Sequence, residues 1–201
     1  LAEAGLTKDD VRALAKRWGL SVWDRPAMAC LSSRFPYGTA VTDVGLKMVD
    51  QAEAFLRDDC GFAQLRARHH DTLSRIELPA EDLSRLLADS QLRQRLIAHL
   101  SAIGYLQITA DLCGFRSGSM NEALLKIDSD DAPLFARIDP ILEAHALVPA
   151  AYEQRDQMLV LRLPEAACAQ LADTALRPAF VSALTALGPR YIALDLDPLH
   201  I

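Results

Sequence analysis

Two arginines, Arg66 and Arg68, stand two residues apart in a segment whose pattern predicts a β-strand. Successive side chains of a strand alternate between its faces, so both guanidinium groups are expected on one face, with Ala67 on the other. Two such groups form a fork for a phosphate or a carboxylate, and they repel each other unless an anion lies between them. Glu77, on the next predicted strand, is expected to orient one of them. A solvated strand face with ordinary salt bridges is the alternative interpretation.

A turn rich in small residues, at positions 114–121 (GFRSGSMN), follows another predicted strand. Such a turn can point backbone N–H groups and the Arg116 side chain at an anion. The glycine spacing matches neither a Walker A loop nor a dinucleotide-binding loop, so an ordinary loop is the alternative interpretation.

Cys30 is the cysteine whose surroundings most favour reactivity. Hydroxyl side chains and Arg34 follow it in a polar loop, and such neighbours stabilise the thiolate. No C-x-x-C spacing is present, and the adjacent His69 and His70 would point to opposite faces of a strand, so no metal site is predicted. The remaining cysteines are expected to serve packing: Cys60, Cys113 and Cys168.

The elements that must position these residues follow the pattern of an α/β (α+β) protein. A capping box at Thr7 and Asp10 predicts a helix that runs to about Trp18, and a proline-containing loop follows. Apolar spacing then predicts a helix at 43–58, strands at 64–68 and 73–78, helices at 80–88 and 91–103, and a strand at 105–111. The order is α-β-β-α-α-β.

The sequence then resembles itself at a shift of 84 residues, so the same order of elements is predicted a second time. For example, residues 87–93 (LADSQLR) match residues 171–177 (LADTALR). Apolar positions are mostly shared between the copies, whereas polar positions are not. With one inserted residue allowed for, the changes are Arg66 to Ala151, Arg68 to Glu153, Glu77 to Arg162 and Arg116 to His200. Packing therefore does not require the polar residues of the first copy.

Composition excludes several classes of protein. The 201 residues are 51% hydrophobic, with a mean hydropathy of +0.09, as in ordinary globular proteins. The net charge of −6 argues against a general nucleic-acid-binding face and requires any anion site to be local. No apolar run approaches the roughly 20 residues of a membrane span, and no signal peptide pattern is present. We therefore expect a cytoplasmic protein without membrane or nucleic-acid partners.

Five segments become specific when their order and spacing are taken together. They are 3–12 (EAGLTKDDVR), 23–26 (WDRP), 29–38 (ACLSSRFPYG), 66–70 (RARHH) and 114–118 (GFRSG). Together they resemble the LarE family of ATP-dependent sacrificial sulfur transferases, which belongs to the PP-loop ATP pyrophosphatase superfamily. The resemblance covers about residues 1–125.

The resemblance implies a two-step reaction in nickel-pincer cofactor biosynthesis. ATP, with Mg²⁺, adenylylates a carboxylate of a pyridinium dicarboxylate mononucleotide, and a cysteine thiolate then attacks the activated carbon. In the sacrificial version the cysteine's own carbon–sulfur bond breaks afterwards, which leaves dehydroalanine on the protein and a thiocarboxylate on the product. Some relatives instead bind an iron–sulfur cluster through three cysteines, and the single cysteine of this loop favours the sacrificial version.

The resemblance also implies roles for single residues and a homo-oligomeric protein. The catalytic residues would be Cys30 as the sulfur donor, with Arg34 and Glu53 near it. The phosphate- and substrate-binding residues would be Arg66, Arg68, Glu77 and Arg116.

The family's ATP-binding half, with its Ser-Gly-Gly-x-Asp-Ser loop for pyrophosphate, has no counterpart in the 201 residues. We therefore expect the C-terminal part of a longer enzyme, which does not adenylylate a substrate on its own. Its parts would be the end of a PP-loop Rossmann-like domain (1–25), a catalytic cysteine loop (26–42), a substrate- and phosphate-binding domain (43–125) and a degenerate repeat (132–201). The alternatives are a non-catalytic anion- or nucleotide-binding or assembly module, and a relative acting on another carboxylate.

Overall fold

The computed structural model describes residues 3–24, 30–116 and 134–199, and the chain divides into two compact units, Leu1–Cys30 and Leu31–Ile201. The first unit contains α1 (Lys8–Arg17). Its predicted capping box is confirmed, because Thr7 N donates to the Asp10 carboxylate at 2.8 Å and Asp10 N donates to the Thr7 hydroxyl at 3.2 Å. Outside the described residues lie residue 25, residues 26–29 of the predicted cysteine loop, residues 117–121 of the small-residue turn, and His200.

The second unit shows the predicted order of elements. A 3₁₀ turn (Leu31–Arg34) leads into a first half made of α2 (Asp43–Asp58), β1 (Arg66–His70), β2 (Leu73–Glu77), α3 (Ala80–Ala88), α4 (Ser90–Ile103) and β3 (Gln107–Asp111). The second half is made of α5 (Leu134–Ala144), β4 (Ala151–Arg155), β5 (Met158–Arg162), α6 (Glu165–Gln170), α7 (Leu176–Thr185) and β6 (Tyr191–Asp195). The mixed α/β class is thus confirmed. β1 lies two residues later than predicted, because the turn after it is tight and the pairing of β1 with β2 extends as far as His70 and Leu73.

All six strands form one mixed sheet in the order β1-β2-β3-β6-β5-β4. In each half the hairpin is antiparallel and its second strand pairs in parallel with the last strand, while β3 and β6 join the halves in antiparallel pairing. The register is also the same, since Arg66 faces Glu77 in the first half and Ala151 faces Arg162 in the second. Each half therefore offers the same backbone positions to different side chains.

One face of this sheet is apolar and packs against the helices α2 to α7. Strand residues such as Ala67, Ile76 and Leu194 join leucines and phenylalanines from these helices in one continuous core. The predicted alternation is confirmed, because Ala67 lies in this core whereas Arg66 and Arg68 project from the opposite face of β1. Arg66 and Arg68, which were predicted to bind an anion, therefore lie on the face opposite the large core.

Two buried arginines join the halves in a reciprocal way. Arg93 of α4 donates to Leu86 O at 3.1 Å and also binds Glu165, the first residue of α6. Arg177 of α7 donates to Leu171 O at 2.8 Å and to Ala80 O, at the start of α3, at 3.1 Å. Each half thus supplies a hydrogen-bond acceptor for a buried arginine of the other half.

Two diagonal corners of the sheet line the same cavity. The two hairpin turns lie at opposite ends and opposite edges of the ladder, yet both line one cavity of about 490 Å³. Asp71 and Asp156 give these turns their tight geometry with φ values of 57° and 50°. Right-handed strand twist accumulates across six strands and brings these diagonal corners together. His70 and Tyr191 are among the residues of this cavity.

Candidate functional site

Glu53 connects three parts of the first half. Its position on α2 belongs to the buried face of that helix, and the residue is 2% exposed. One carboxylate oxygen accepts from Arg34 Nε at 2.7 Å and from Ala67 N at 3.0 Å, and the other accepts from Arg34 Nη2 at 3.0 Å. Since β1 is an edge strand, Glu53 supplies the acceptor that a neighbouring strand would otherwise provide. The Arg34–Glu53 ion pair thereby holds the 3₁₀ turn against the edge of the sheet.

Glu77 plays a corresponding part for Arg68. The Arg68 Nε and Nη2 atoms each donate to one oxygen of Glu77 at 3.0 Å, and Nη1 donates to Ser33 O at 2.7 Å. Both side chains of the ion pair are buried. The two-point geometry fixes the plane of the guanidinium group. Arg68 therefore links the sheet to the same 3₁₀ turn that Arg34 holds.

Arg66 is held less tightly than Arg68. Its side chain is 17% exposed, and Nη1 lies 3.9 Å from the Glu77 carboxylate, too far for a hydrogen bond. Nη1 instead donates to Arg116 O at 3.1 Å, and the guanidinium group lies 4.4 Å from the centre of the Phe115 ring. Burial, and then the neighbouring charge of Arg68, lower the pKa of Arg66. Arg66 thus presents a partly exposed cation beside the buried network.

Sequence reasoning missed two further residues, Arg75 and Asp111. Arg75 is fully buried, and its Nη1 binds Asp111 and lies 3.1 Å from Glu77. Burial raises the pKa of Asp111 and the charge of Arg75 opposes that effect, while the carboxylate also accepts from Cys113 N at 2.9 Å. Arg75 and Glu77 stand two apart on β2, the same signal that singled out the arginines of β1.

The charges of this network favour an anion. The described residues of the network include four arginines and three carboxylates: Arg34, Arg66, Arg68, Arg75, Glu53, Glu77 and Asp111. One positive charge therefore remains after internal pairing, and Arg66 is the most exposed of the cations. A phosphate or carboxylate bound at Arg66 would neutralise this remaining positive charge.

The other predicted site residues lie in different surroundings. Arg116 lines a cavity of about 710 Å³ together with Phe115 and Cys113. Cys30 is exposed and belongs to the first compact unit, and its next residue along the chain is Leu31, where the 3₁₀ turn begins. Among the described residues, no group of three or more His, Cys, Asp or Glu side chains could hold a metal ion. Within the same residues no helix has the length and apolar character of a membrane span.

The second half builds a different network on the same backbone positions. Val160 occupies the position of Arg75, and Arg162 that of Glu77. Arg162 donates to Asp195 at 2.6 Å. The last strand of each half therefore carries an aspartate, whereas the second hairpin strand carries Glu77 in the first half and Arg162 in the second. The second half thus lacks the arginine fork of the first.

Comparison with known proteins reveals two relatives. No family model matches the sequence. Over 126 residues, 63% of the chain, it is 43% identical to pyridinium-3,5-bisthiocarboxylic acid mononucleotide synthase of Lactiplantibacillus plantarum, and 42% identical to an uncharacterized protein of Synechocystis sp.. The aligned part makes up 44% and 46% of those proteins, so the chain spans less than half the length of the curated relatives it matches. The resemblance to LarE is thereby confirmed, and the chain is LarE-like over these 126 residues.

Proposed function

We propose that this chain is the C-terminal, sulfur-carrying part of a LarE-type sulfur transferase in nickel-pincer cofactor biosynthesis. The observation that carries the proposal is the 43% identity to the mononucleotide synthase. The cationic network around Glu77 supports it, because a nucleotide substrate brings a phosphate group that needs such a partner.

The residues divide into three roles. Cys30 is the sulfur donor, and its exposure and polar sequence neighbours suit a reacting thiol. Arg66 and Arg116 bind the phosphate group together with Arg68. The supporting residues keep the cationic groups in place and hold the turn that follows Cys30: Arg34, Glu53 and Glu77.

The reaction begins with an acyl adenylate of a pyridinium dicarboxylate mononucleotide. The Cys30 thiolate attacks the acyl carbon, a carbon–sulfur bond forms, and the carbon–oxygen bond to AMP breaks, so that AMP leaves with the electron pair. A base then removes the proton on Cα of Cys30, and the bond between Cβ and sulfur breaks. The sulfur leaves on the substrate as a thiocarboxylate, and dehydroalanine remains at position 30.

Adenylylation itself requires groups that this chain does not offer. No Ser-Gly-Gly-x-Asp-Ser run for pyrophosphate occurs in the 201 residues, so we assign binding of ATP and Mg²⁺ to a PP-loop domain outside this chain. Residues 1–25 would be the end of that domain, 26–42 the cysteine loop, and 43–125 the phosphate-binding domain. The proposal further includes a duplicated origin for 132–201, a homo-oligomer, and a place in the cytoplasm.

The test is the mass of the peptide that contains Cys30. The chain is incubated with the pre-formed acyl adenylate, or joined to a PP-loop domain and supplied with ATP and substrate. We expect the peptide to become lighter by one hydrogen sulfide, while peptides with Cys60, Cys113 and Cys168 keep their mass. The variant Cys30→Ser, which has no sulfur to lose, is the matched control. Formation of the thiocarboxylate with an unchanged Cys30 would contradict the sacrificial mechanism.

A further inference from the structure

Arg75 touches no solvent, yet it belongs to the network that holds the arginine fork. Its side chain is 0% exposed, and Nη1 is shared between the carboxylates of Asp111 and Glu77. Nη2 is buried as well and has no hydrogen-bond partner among the described residues. A buried cation with an unsatisfied N–H group is costly. The guanidinium group also lies 3.9 Å from the centre of the Tyr191 ring, and this contact and the two ion pairs offset part of that cost.

The second half shows that packing does not need this arginine. Arg75 pairs with Thr109 on β3, and Val160 pairs with Ala193 on β6 in the same register. Val160 is 2% exposed and lies in a small apolar cluster. A β-branched apolar residue thus fills the equivalent place in the same scaffold. The difference between the halves is the presence of Glu77 and the fork around it.

Three arginines approach the single negative charge of Glu77. Arg68 binds both of its oxygens at 3.0 Å, and Arg75 lies 3.1 Å from one of them. Arg66 stays 3.9 Å away and is held by the carbonyl of Arg116 and the ring of Phe115. In a buried site the attraction between unlike charges is strong, so the cation that is closest reduces the pull on the others.

We propose that Arg75 is a positioning residue that competes with Arg66 for Glu77. By taking part of the carboxylate's charge from the buried side, Arg75 leaves the Arg66 guanidinium group at the surface and available to an anion. The negative charge of Asp111 balances the positive charge of Arg75, so the presence of Arg75 adds no net charge to the interior of the protein. This inference rests on the phosphate-binding role proposed above for Arg66.

The test uses the binding of inorganic phosphate, measured by calorimetry or by ³¹P NMR, in a double-mutant cycle. The variant R75V/D111N removes one buried cation and one buried anion together and installs the valine of the second half. The amide oxygen that D111N introduces can still accept from Cys113 N, which limits the structural change. This variant is combined with R66A, and R162Q, at the position in the second half that corresponds to Glu77, is the control. Should R75V/D111N not fold, R75Q/D111N is measured in the same way.

We expect R75V/D111N to weaken phosphate binding about tenfold, as for coupled residues of one network. When R66A is already present, the same two substitutions should change the affinity less than about twofold, because the cation that they act through is gone. The variant R75K, which keeps a cation at this position, should retain most of the affinity, and R162Q should not alter it.

Three results would overturn the inference: an equal loss with and without R66A, no loss in either case, or no phosphate binding by the unaltered chain. If the effects of R75V/D111N and R66A on phosphate binding are coupled but Cys30 transfers no sulfur, only the proposed function is contradicted. If Cys30 transfers sulfur but the two effects are not coupled, only the role of Arg75 is contradicted.

Discussion

Arg68 and Glu77, on neighbouring antiparallel strands, form a buried two-point ion pair with both nitrogen–oxygen distances at 3.0 Å. Arg66, two residues earlier, projects from the same face without such a bond to Glu77. The two arginines of the fork therefore differ in how they are held: Arg68 is fixed by a two-point buried ion pair, and Arg66 is more exposed and lacks such a bond.

Substitution of each arginine by alanine should separate these contributions. Arg68→Ala leaves Glu77 short of its closest partner and the Ser33 carbonyl without a donor, and loss of one member of a buried ion pair costs about 3–5 kcal/mol of unfolding free energy. Arg66→Ala should cost less than about 1 kcal/mol, because its contacts are partly exposed. Urea denaturation measures both. We therefore expect a small loss of stability for Arg66→Ala alone.

An exposed ion pair provides the control for this comparison. Arg85 and Asp82 lie 3.9 Å apart on the surface of α3. Asp82→Asn should change the unfolding free energy by less than about 1 kcal/mol. A loss from Arg68→Ala that is no larger than this would show that the buried pair does not stabilise the protein.

Arg66→Ala should instead weaken ligands that carry a phosphate group. Hydrogen bonds to charged groups contribute roughly 1.5–3 kcal/mol each, so a pyridinium mononucleotide should bind at least about tenfold more weakly. Calorimetric titration measures the affinity, and the same compound without its phosphate is the comparison ligand. That compound should bind the unaltered chain and the variant equally. An equal loss for both compounds would place Arg66 against another part of the ligand.

Alkylation should distinguish Cys30 from the other cysteines. Burial raises the pKa of Cys113 to about 12 and that of Cys168 to about 11, and it also raises the pKa of Cys60. Since the thiolate is the nucleophile, only about one Cys113 thiol in ten thousand is ionised near pH 8. Cys30 is exposed and should react with iodoacetamide first.

Peptide mass mapping over time measures the four rates separately. The variant Cys30→Ser should lose the fast phase and keep the slow ones. A fast phase at Cys60 or Cys113 would contradict the burial that the structure shows for the first half.

His70 should make the protein sensitive to mild acid. Burial, and then the charge of Arg75, lower the pKa of His70 from 6.5 to about 3, so the folded protein favours the neutral ring. Its contribution to stability is complete above pH 6.5 and is lost as the pH falls from 6.5 towards 3, because the unfolded chain takes up a proton there. The slope from this one group is at most about 1.4 kcal/mol per pH unit.

The variant His70→Gln removes this titrating group. Unfolding free energies measured near pH 7 and near pH 4.5 should differ less in the variant than in the unaltered chain, by up to about 2–3 kcal/mol. The same difference in both proteins would show that His70 does not titrate in this range.

Local patterns were sufficient to predict the fork and the elements that carry it. Strand alternation placed Arg66 and Arg68 on one face, and helical spacing gave the bounds of α2 without error. Arg75 and Asp111 were not found, because they meet through the parallel pairing of β2 with β3 across two intervening helices. Such pairing depends on the packing of the whole half, and no short window of sequence contains it.

The single sheet was missed for the same reason. The repeat in the sequence predicts two similar folding patterns, but pairing of β3 with β6 is a contact between residues more than 80 positions apart. The partners of Glu53 were equally hidden, since one of them is a backbone N–H at the open edge of β1. Sequence patterns describe side chains, and they carry no signal for this kind of bond.

Pairing of β3 with β6 also determines how the second unit unfolds. Separation of its halves would expose two hydrogen-bonding strand edges, and it would also remove Glu165 from Arg93 and Ala80 O from Arg177. We therefore expect neither half to unfold while the other stays intact. Thermal unfolding of residues 31–201 should follow one cooperative transition, as for a single folding unit, although the sequence reads as two copies of one pattern.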